Sequence, residues 1–190
     1  MDERRYSGLA ITLHWLVAMG VIANVALAWA WPGLPDAQVR PAIDLHKSIG
    51  LTVLGLAVMR LLWRMSHRPP ALVEGLKRWE VRLAHITHVL LYLIIFAMPI
   101  TGYVMDSAYK DAAAHPLSLY GAIPFPRLDF VMSLDPATKK AVHDGFGEAH
   151  ELIAKLVYVL VALHIAGALK HQWLDGRREL QRMWFGGGRG

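Results

Sequence analysis

Ten histidines stand in this sequence, and six of them, His14, His46, His85, His88, His150 and His164, fall inside or at the rim of strongly apolar stretches. An ionisable side chain is costly in a hydrocarbon layer, so histidines placed there serve as ligands, proton carriers or interhelical hydrogen-bonding groups. His150 and His164 are 14 residues apart. At about 100° and 1.5 Å per helical residue they differ by roughly 40° in azimuth and about 21 Å in height. They share one face at two depths, and slight supercoiling toward 3.5 residues per turn aligns them further. Imidazole on both axial positions of a haem iron leaves no open site for oxygen chemistry and suits electron transfer. The chain has no cysteine. That excludes disulfides, thiolate-held iron–sulfur clusters and the C-x-x-C-H attachment, so any haem is held non-covalently.

The elements that must position these residues are membrane helices. The composition is 55% hydrophobic and 18% charged, with mean hydropathy +0.33, which makes a bilayer the fitting solvent. With about 20 apolar residues per crossing, four spans and their connections use up the chain and leave no room for a separate soluble catalytic domain. The expected fold is all-α, an integral membrane four-helix bundle forming one domain over residues 1–190. Helix one is predicted over 7–31, with Trp29 and Trp31 in an interfacial belt and Pro32-Gly33 as its stop. Helix two is predicted over 41–65, with Pro41 in its first turn and Arg60, Arg64 and Arg68 ahead of Pro69-Pro70. Helix three is predicted over 80–105, bent near Pro99. Residues 106–135 carry Pro116, Pro124 and Pro126 without clear periodicity and read as a long outer loop against the membrane surface. Asp135-Pro136 reads as cap and first turn of helix four, 136–174, with an interruption near Gly145 and Gly147 and an end by Asp175-Gly176.

Lysine and arginine counts set the orientation. Two precede helix one, six run from Arg60 to Arg82 and five follow from Lys170 on, against six spread over Arg40, Lys47, Lys110, Arg127, Lys139 and Lys140. Both termini should therefore be cytoplasmic. Helix one then enters with His14 early while helix four leaves with His164 late, at matching depth. His46 and His150 match near the outer side. The reading is two stacked metal centres about 20 Å apart, both carried by helix four. His143, seven residues before His150, is the rival at the outer depth. His85 and His88 read as second-sphere groups, haem-propionate donors or quinone contacts near the cytoplasmic rim. His67, His115 and His171 read as solvated, with His171 and Lys170 as the alternative border of a quinone pocket. A cleavable signal peptide, imitated by Arg4-Arg5 and Ala26-Leu27-Ala28, is the rival for helix one; the long apolar run and the spans after it favour a retained anchor. The charge of +5 and pI near 9.6 follow from membrane topology, and no nucleic acid is expected.

Tyr6-Ser7 leads into His14-Trp15, and Leu45-His46 is followed by Ser48-Ile49-Gly50. Arg60-Leu61-Leu62 comes next, then Leu83-Ala84-His85 with His88, and His150-Glu151 ahead of His164. In this order and spacing the sequence resembles the bacterial cytochrome b561 family over nearly its whole length. The resemblance implies two haem b groups, one on His14 and His164 and one on His46 and His150, in a bacterial inner membrane. It implies electron transfer from an outer-face donor, either a small molecule such as superoxide or a redox partner protein, to membrane quinone such as ubiquinone. The 106–135 segment is longer than in short family members, which opens the identity of the donor. Lys47, Arg127, Lys139 and Lys140 would draw an anionic donor, against Asp106, Asp111, Asp129, Asp135 and Asp144 nearby. The rival functions are a membrane anchor and electron conduit for a separate redox enzyme, and a non-haem transporter or metal-uptake protein using the histidines as proton or metal sites. No glycine-rich nucleotide loop or nucleophile triad is present, so bound nicotinamide and hydrolytic chemistry are not expected.

Overall fold

The computed structural model describes residues 5–70 and 75–185. Arg4 of the basic pair before helix one and the glycine-rich end at 186–190 lie outside the described residues. Four helices are long and apolar enough to cross a membrane, and they form the bundle that the apolar runs require.

Helix α1 is Gly8–Ala30, capped by Ser7, whose hydroxyl accepts from the Ala10 N–H at 3.3 Å. A short 3-10 turn at Trp31–Gly33 closes it. Helix α2 is Asp36–Ser66 and starts ahead of the expected Pro41, which lies inside the helix. Proline there forfeits one backbone bond, while Asp36 in the first turn faces the positive end of the helix dipole, so the longer helix holds. Helix α3, Arg78–Ser107, is fastened at its start by the Glu80 carboxylate accepting from the Lys77 N–H at 2.8 Å, and it is continuous through Pro99.

The long connection after α3 is a folded cap. It contains an antiparallel hairpin of β1 (Ser118–Leu119) and β2 (Ile123–Pro124), then a short helix α4, Asp129–Met132. The Arg127 guanidinium is buried and donates to the Asp106 carboxylate at 2.9 Å and to the carbonyls of Ala112 and His115 at 2.8 and 2.7 Å. Lys47 of α2 reaches the other Asp106 oxygen at 2.7 Å. The hairpin is tied to α2 through Tyr120, whose N–H donates to Ser48 Oγ at 2.9 Å and whose hydroxyl meets Thr52 Oγ1 at 2.7 Å. These bonds join residues far apart in the chain, which is why local periodicity does not reveal the cap.

Helix α5, Pro136–Leu169, opens with Asp135 accepting from the Ala137 and Thr138 N–H groups, both at 3.1 Å. It runs through Gly145 and Gly147 without the expected interruption, because a Cβ on Gly147 would lie 3.3 Å from Met105 Sδ and the glycine serves close packing on α3. A π-helical turn at Lys170–Leu174 and a short helix α6, Glu179–Arg182, complete the described chain.

Helix α1 packs on α2, α3 packs on α5, and α2 bridges to α3, while α5 stands off from α1 and α2. The small core includes Ile11, Leu13 and Val17 of α1, Val53 and Ala57 of α2, and Ile94 of α3. Large apolar side chains such as Ile22, Leu62, Leu93 and Val159 point outward, as a lipid-facing surface demands.

Candidate functional site

The stand-off between α5 and the α1–α2 pair is bridged by imidazoles. His150 of α5 faces His46 of α2 with ring centres 6.3 Å apart and planes at 72°; His164 of α5 faces His14 of α1 at 6.1 Å and 69°. The four residues thus come together in two pairs at two depths of one helix. A metal–imidazole bond of about 2.0–2.1 Å, as at zinc, with the ring centre roughly 1.1 Å beyond each nitrogen, separates two axial rings by roughly 6.2–6.4 Å. Both pairs have the spacing of imidazoles that share one metal.

The outer pair is oriented by backbone carbonyls. His46 Nδ1 lies 3.2 Å from the Asn24 carbonyl, and His150 Nδ1 lies 3.0 Å from the Met98 carbonyl and 3.1 Å from Thr101 Oγ1. A bond to a carbonyl requires the hydrogen on Nδ1, which leaves the Nε2 lone pair available as ligand. Gly102 makes the room, since a Cβ there would sit 3.2 Å from the His150 ring. Trp31 closes the His46 side edge-on at 5.2 Å.

The second pair sits among cations. Arg60 donates to His14 Nδ1 at 2.6 Å and to the Tyr92 hydroxyl at 3.1 Å. Arg60 and Arg64 lie over the Tyr92 ring at 5.7 and 5.5 Å. The His88 ring stands 5.4 Å from His164, so this depth holds three imidazoles. His85 bonds the Val81 carbonyl of its own helix and is exposed. His143 stands beside Tyr109 at 6.1 Å and near Asp144, while His150 is the ring that faces His46. His67 stacks on Trp63, and the His115 carbonyl serves Arg127.

At the end of the bundle where Arg5 meets the Trp184 carbonyl, Lys170 is ion-paired with Glu80 and, at 2.9 Å, with Asp175; His171 Nδ1 meets Asp175 at 2.6 Å. The hydrogen bonds from Lys170 and His171 hold the Asp175 carboxyl below the ordinary aspartate range. At the opposite end Lys47 and Arg127 share Asp106, and Lys140 is paired with Asp144. The expected attraction for an anionic donor is therefore largely offset there.

Arg60 is the contact that sequence reading missed, although an arginine within an apolar span is itself the signal. Thr101 and the Asn24 and Met98 carbonyls gave none, because they act on residues of other helices. The profile of the prokaryotic cytochrome b561 family matches residues 5–186. The chain belongs to that family. It is 33% identical to cytochrome b561 homolog 2 of Escherichia coli (strain K12) over 181 residues, covering 94% of this chain and 90% of that relative. It is 28% identical to the probable superoxide oxidase CybB of Yersinia pestis over 189 residues, 95% and 96% of the two chains. It is 24% identical to cytochrome b561 homolog 1 of Escherichia coli (strain K12) over 181 residues, 94% and 96%. As a cytochrome b561 family protein it is a multi-pass membrane cytochrome of electron transfer, with haem b as the family's cofactor.

Proposed function

We propose that this b561-family chain is a di-haem oxidoreductase of the bacterial inner membrane, with both termini cytoplasmic. It carries electrons from an outer-face donor, superoxide being the leading candidate, to ubiquinone. The observation that carries the reading is the pair of imidazole spacings, 6.3 Å for His46/His150 and 6.1 Å for His14/His164, at two depths of α5. The likeness to a relative named as a probable superoxide oxidase supports the donor.

Haem b, when bound, supplies the one-electron iron couple. The chain supplies the rest. His46 with His150, and His14 with His164, would hold the two haems, and ligation by two imidazoles would suit electron transfer rather than oxygen binding at the metal. The Asn24 and Met98 carbonyls fix the outer rings by accepting from Nδ1. The apolar helices exclude water between the two levels. In the overall reaction two superoxide anions each lose one electron and leave as dioxygen, and one quinone takes two electrons and two protons to become quinol. The Glu80, Lys170, His171 and Asp175 cluster places titratable groups at the end where the quinol forms in this reading.

A second reading, an anchor and electron conduit for a separate redox subunit, is favoured by Ile123 and Phe130, which the outer cap exposes at 59% and 69%. The deciding experiment is a reduced-minus-oxidised spectrum of detergent-purified protein with pyridine-haemochrome quantification. Two haem b per chain is the expected result, followed by superoxide-driven reduction of a soluble ubiquinone. A haem-free protein after expression with ample haem sinks the proposal and favours the transporter reading. Two haems with no response to superoxide, and a co-purifying redox subunit, favour the conduit.

A further inference from the structure

Arg60 lies within the apolar span of α2, half-buried and one turn before Arg64. Its neighbours, His14 Nδ1 and the Tyr92 hydroxyl, carry no negative charge. Lys47 and Lys170, by contrast, have carboxylate counter-ions, Asp106 and Glu80. Among the described residues neither Arg60 nor Arg64 pairs with a carboxylate. A guanidinium in this setting calls for an anion, because an unpaired charge taken out of water is strongly unfavourable.

The hydrogen-bond chemistry makes the same demand independently. Arginine only donates, so at 2.6 Å His14 Nδ1 is the acceptor. A neutral imidazole that gives its Nε2 lone pair to iron carries its hydrogen on Nδ1. Ligation through Nε2 therefore turns this contact into two donors facing each other, which need a shared acceptor. At His46 and His150 the same nitrogen already faces a carbonyl. Of these three rings it is His14 whose Nδ1 faces a donor instead, beside the two arginines. A carboxylate supplies what is lacking, since it accepts from several donors and pairs with a guanidinium in bidentate fashion.

We infer that Arg60, supported by Arg64 and the Tyr92 hydroxyl, is the anchor for the propionate carboxylates of the cofactor held between His14 and His164. Arg60 is a binding residue for that group and fixes which edge of it turns toward α2 and α3. The Tyr92 oxygen accepts from Arg60 Nε, which leaves its own O–H to donate to the carboxylate. This inference rests on the di-haem reading.

The test uses the full chain in detergent. Haem content of the wild type is measured first, and fewer than two haems per chain overturns the di-haem reading and this inference with it. With two haems present, the protein is stripped and rebound with haem b or with its dimethyl ester, which lacks the carboxylates. The wild type should bind the ester at one of its two sites roughly tenfold to a hundredfold more weakly than haem b, the scale of a charge-assisted hydrogen bond. Arg60→Leu should abolish that discrimination, release one haem faster by a similar factor and lower one of the two midpoint potentials, because a cation near iron favours its reduced state. Arg60→Lys should restore part of both effects. Equal binding of ester and free acid at both sites of the wild type overturns the assignment without any mutation, as does an Arg60→Leu protein with unchanged haem release and both potentials unchanged.

Discussion

His46 and His150 face each other across 6.3 Å while their Nδ1 atoms are turned away, one to the Asn24 carbonyl and the other to the Met98 carbonyl. Two rings from different helices, each with its second nitrogen engaged, present their remaining nitrogens to a common space. That is the arrangement the proposed ligation requires.

Replacing either ring should remove one cofactor and spare the other. His46→Ala and His150→Ala proteins are expected to hold one haem b per chain by pyridine haemochrome, with the remaining spectrum that of the His14/His164 site. His143→Ala should keep both, because His143 stands by Tyr109 while His150 faces His46. Loss of a haem in His143→Ala with retention in His150→Ala would reverse the assignment.

Gly102 offers a finer probe, since an added Cβ meets the His150 ring at 3.2 Å and its Nδ1 at 3.4 Å. Gly102→Ala should push the ring off the Met98 carbonyl and alter the low-spin ferric signal of one haem in electron paramagnetic resonance. Haem affinity at that site should fall by roughly tenfold to a hundredfold, the usual scale for disturbing the groups behind a metal ligand. Thr101→Val, which removes a polar neighbour without adding bulk, should shift the same signal less.

Much of this arrangement is legible in the sequence because it is periodic. The 14-residue interval between His150 and His164 gives one face, and the alternating direction of the four spans gives the depths at which His46 and His14 stand opposite. What periodicity does not carry is contact between charges and helices far apart in sequence. Arg60 meets His14 across 46 residues, and Arg127 meets Asp106 across 21. His88 reads as a rim residue, yet helix packing sets its ring beside His164. The start of α2 at Asp36 was hidden for another reason: Pro41 has the look of a first-turn proline, and only the packed helix tolerates it further in.

The cap is held by a buried charge cluster and should be sensitive to its centre. Asp106 is 6% exposed and Arg127 8%. Asp106→Asn leaves Arg127 without its anion and Lys47 with Asp44 alone, and removing one partner of a buried pair costs about 3–5 kcal/mol. Thermal unfolding in detergent should drop accordingly, and limited proteolysis should begin within residues 106–135. The double change Asp106→Leu with Arg127→Met should recover part of the loss, because Lys47 keeps Asp44 at 3.4 Å. An Asp106→Asn protein with unchanged melting and protease resistance would show that the cap is held by the hairpin contacts of Tyr120 instead.

The pH response of the opposite end follows from Asp175. Its carboxyl is depressed by the hydrogen bonds from Lys170 and His171. A group with a lowered folded value stabilises the fold above its unfolded value, and the contribution is lost as pH falls through the folded value. The ties of Asp175 to Lys170 and His171 should therefore persist through neutral and mildly acidic conditions and fail only below the ordinary aspartate value of about 3.9. Melting temperature in detergent, followed from neutral pH downward, should show an acid-limb slope that Asp175→Asn reduces, with little difference in slope near pH 7. Because the carboxylate is screened by solvent, salt should weaken the effect. A variant whose acid limb matches that of the wild type would mean that Glu80 alone secures Lys170, and that the ion pair between α3 and the π-helical turn closes this end of the bundle without Asp175.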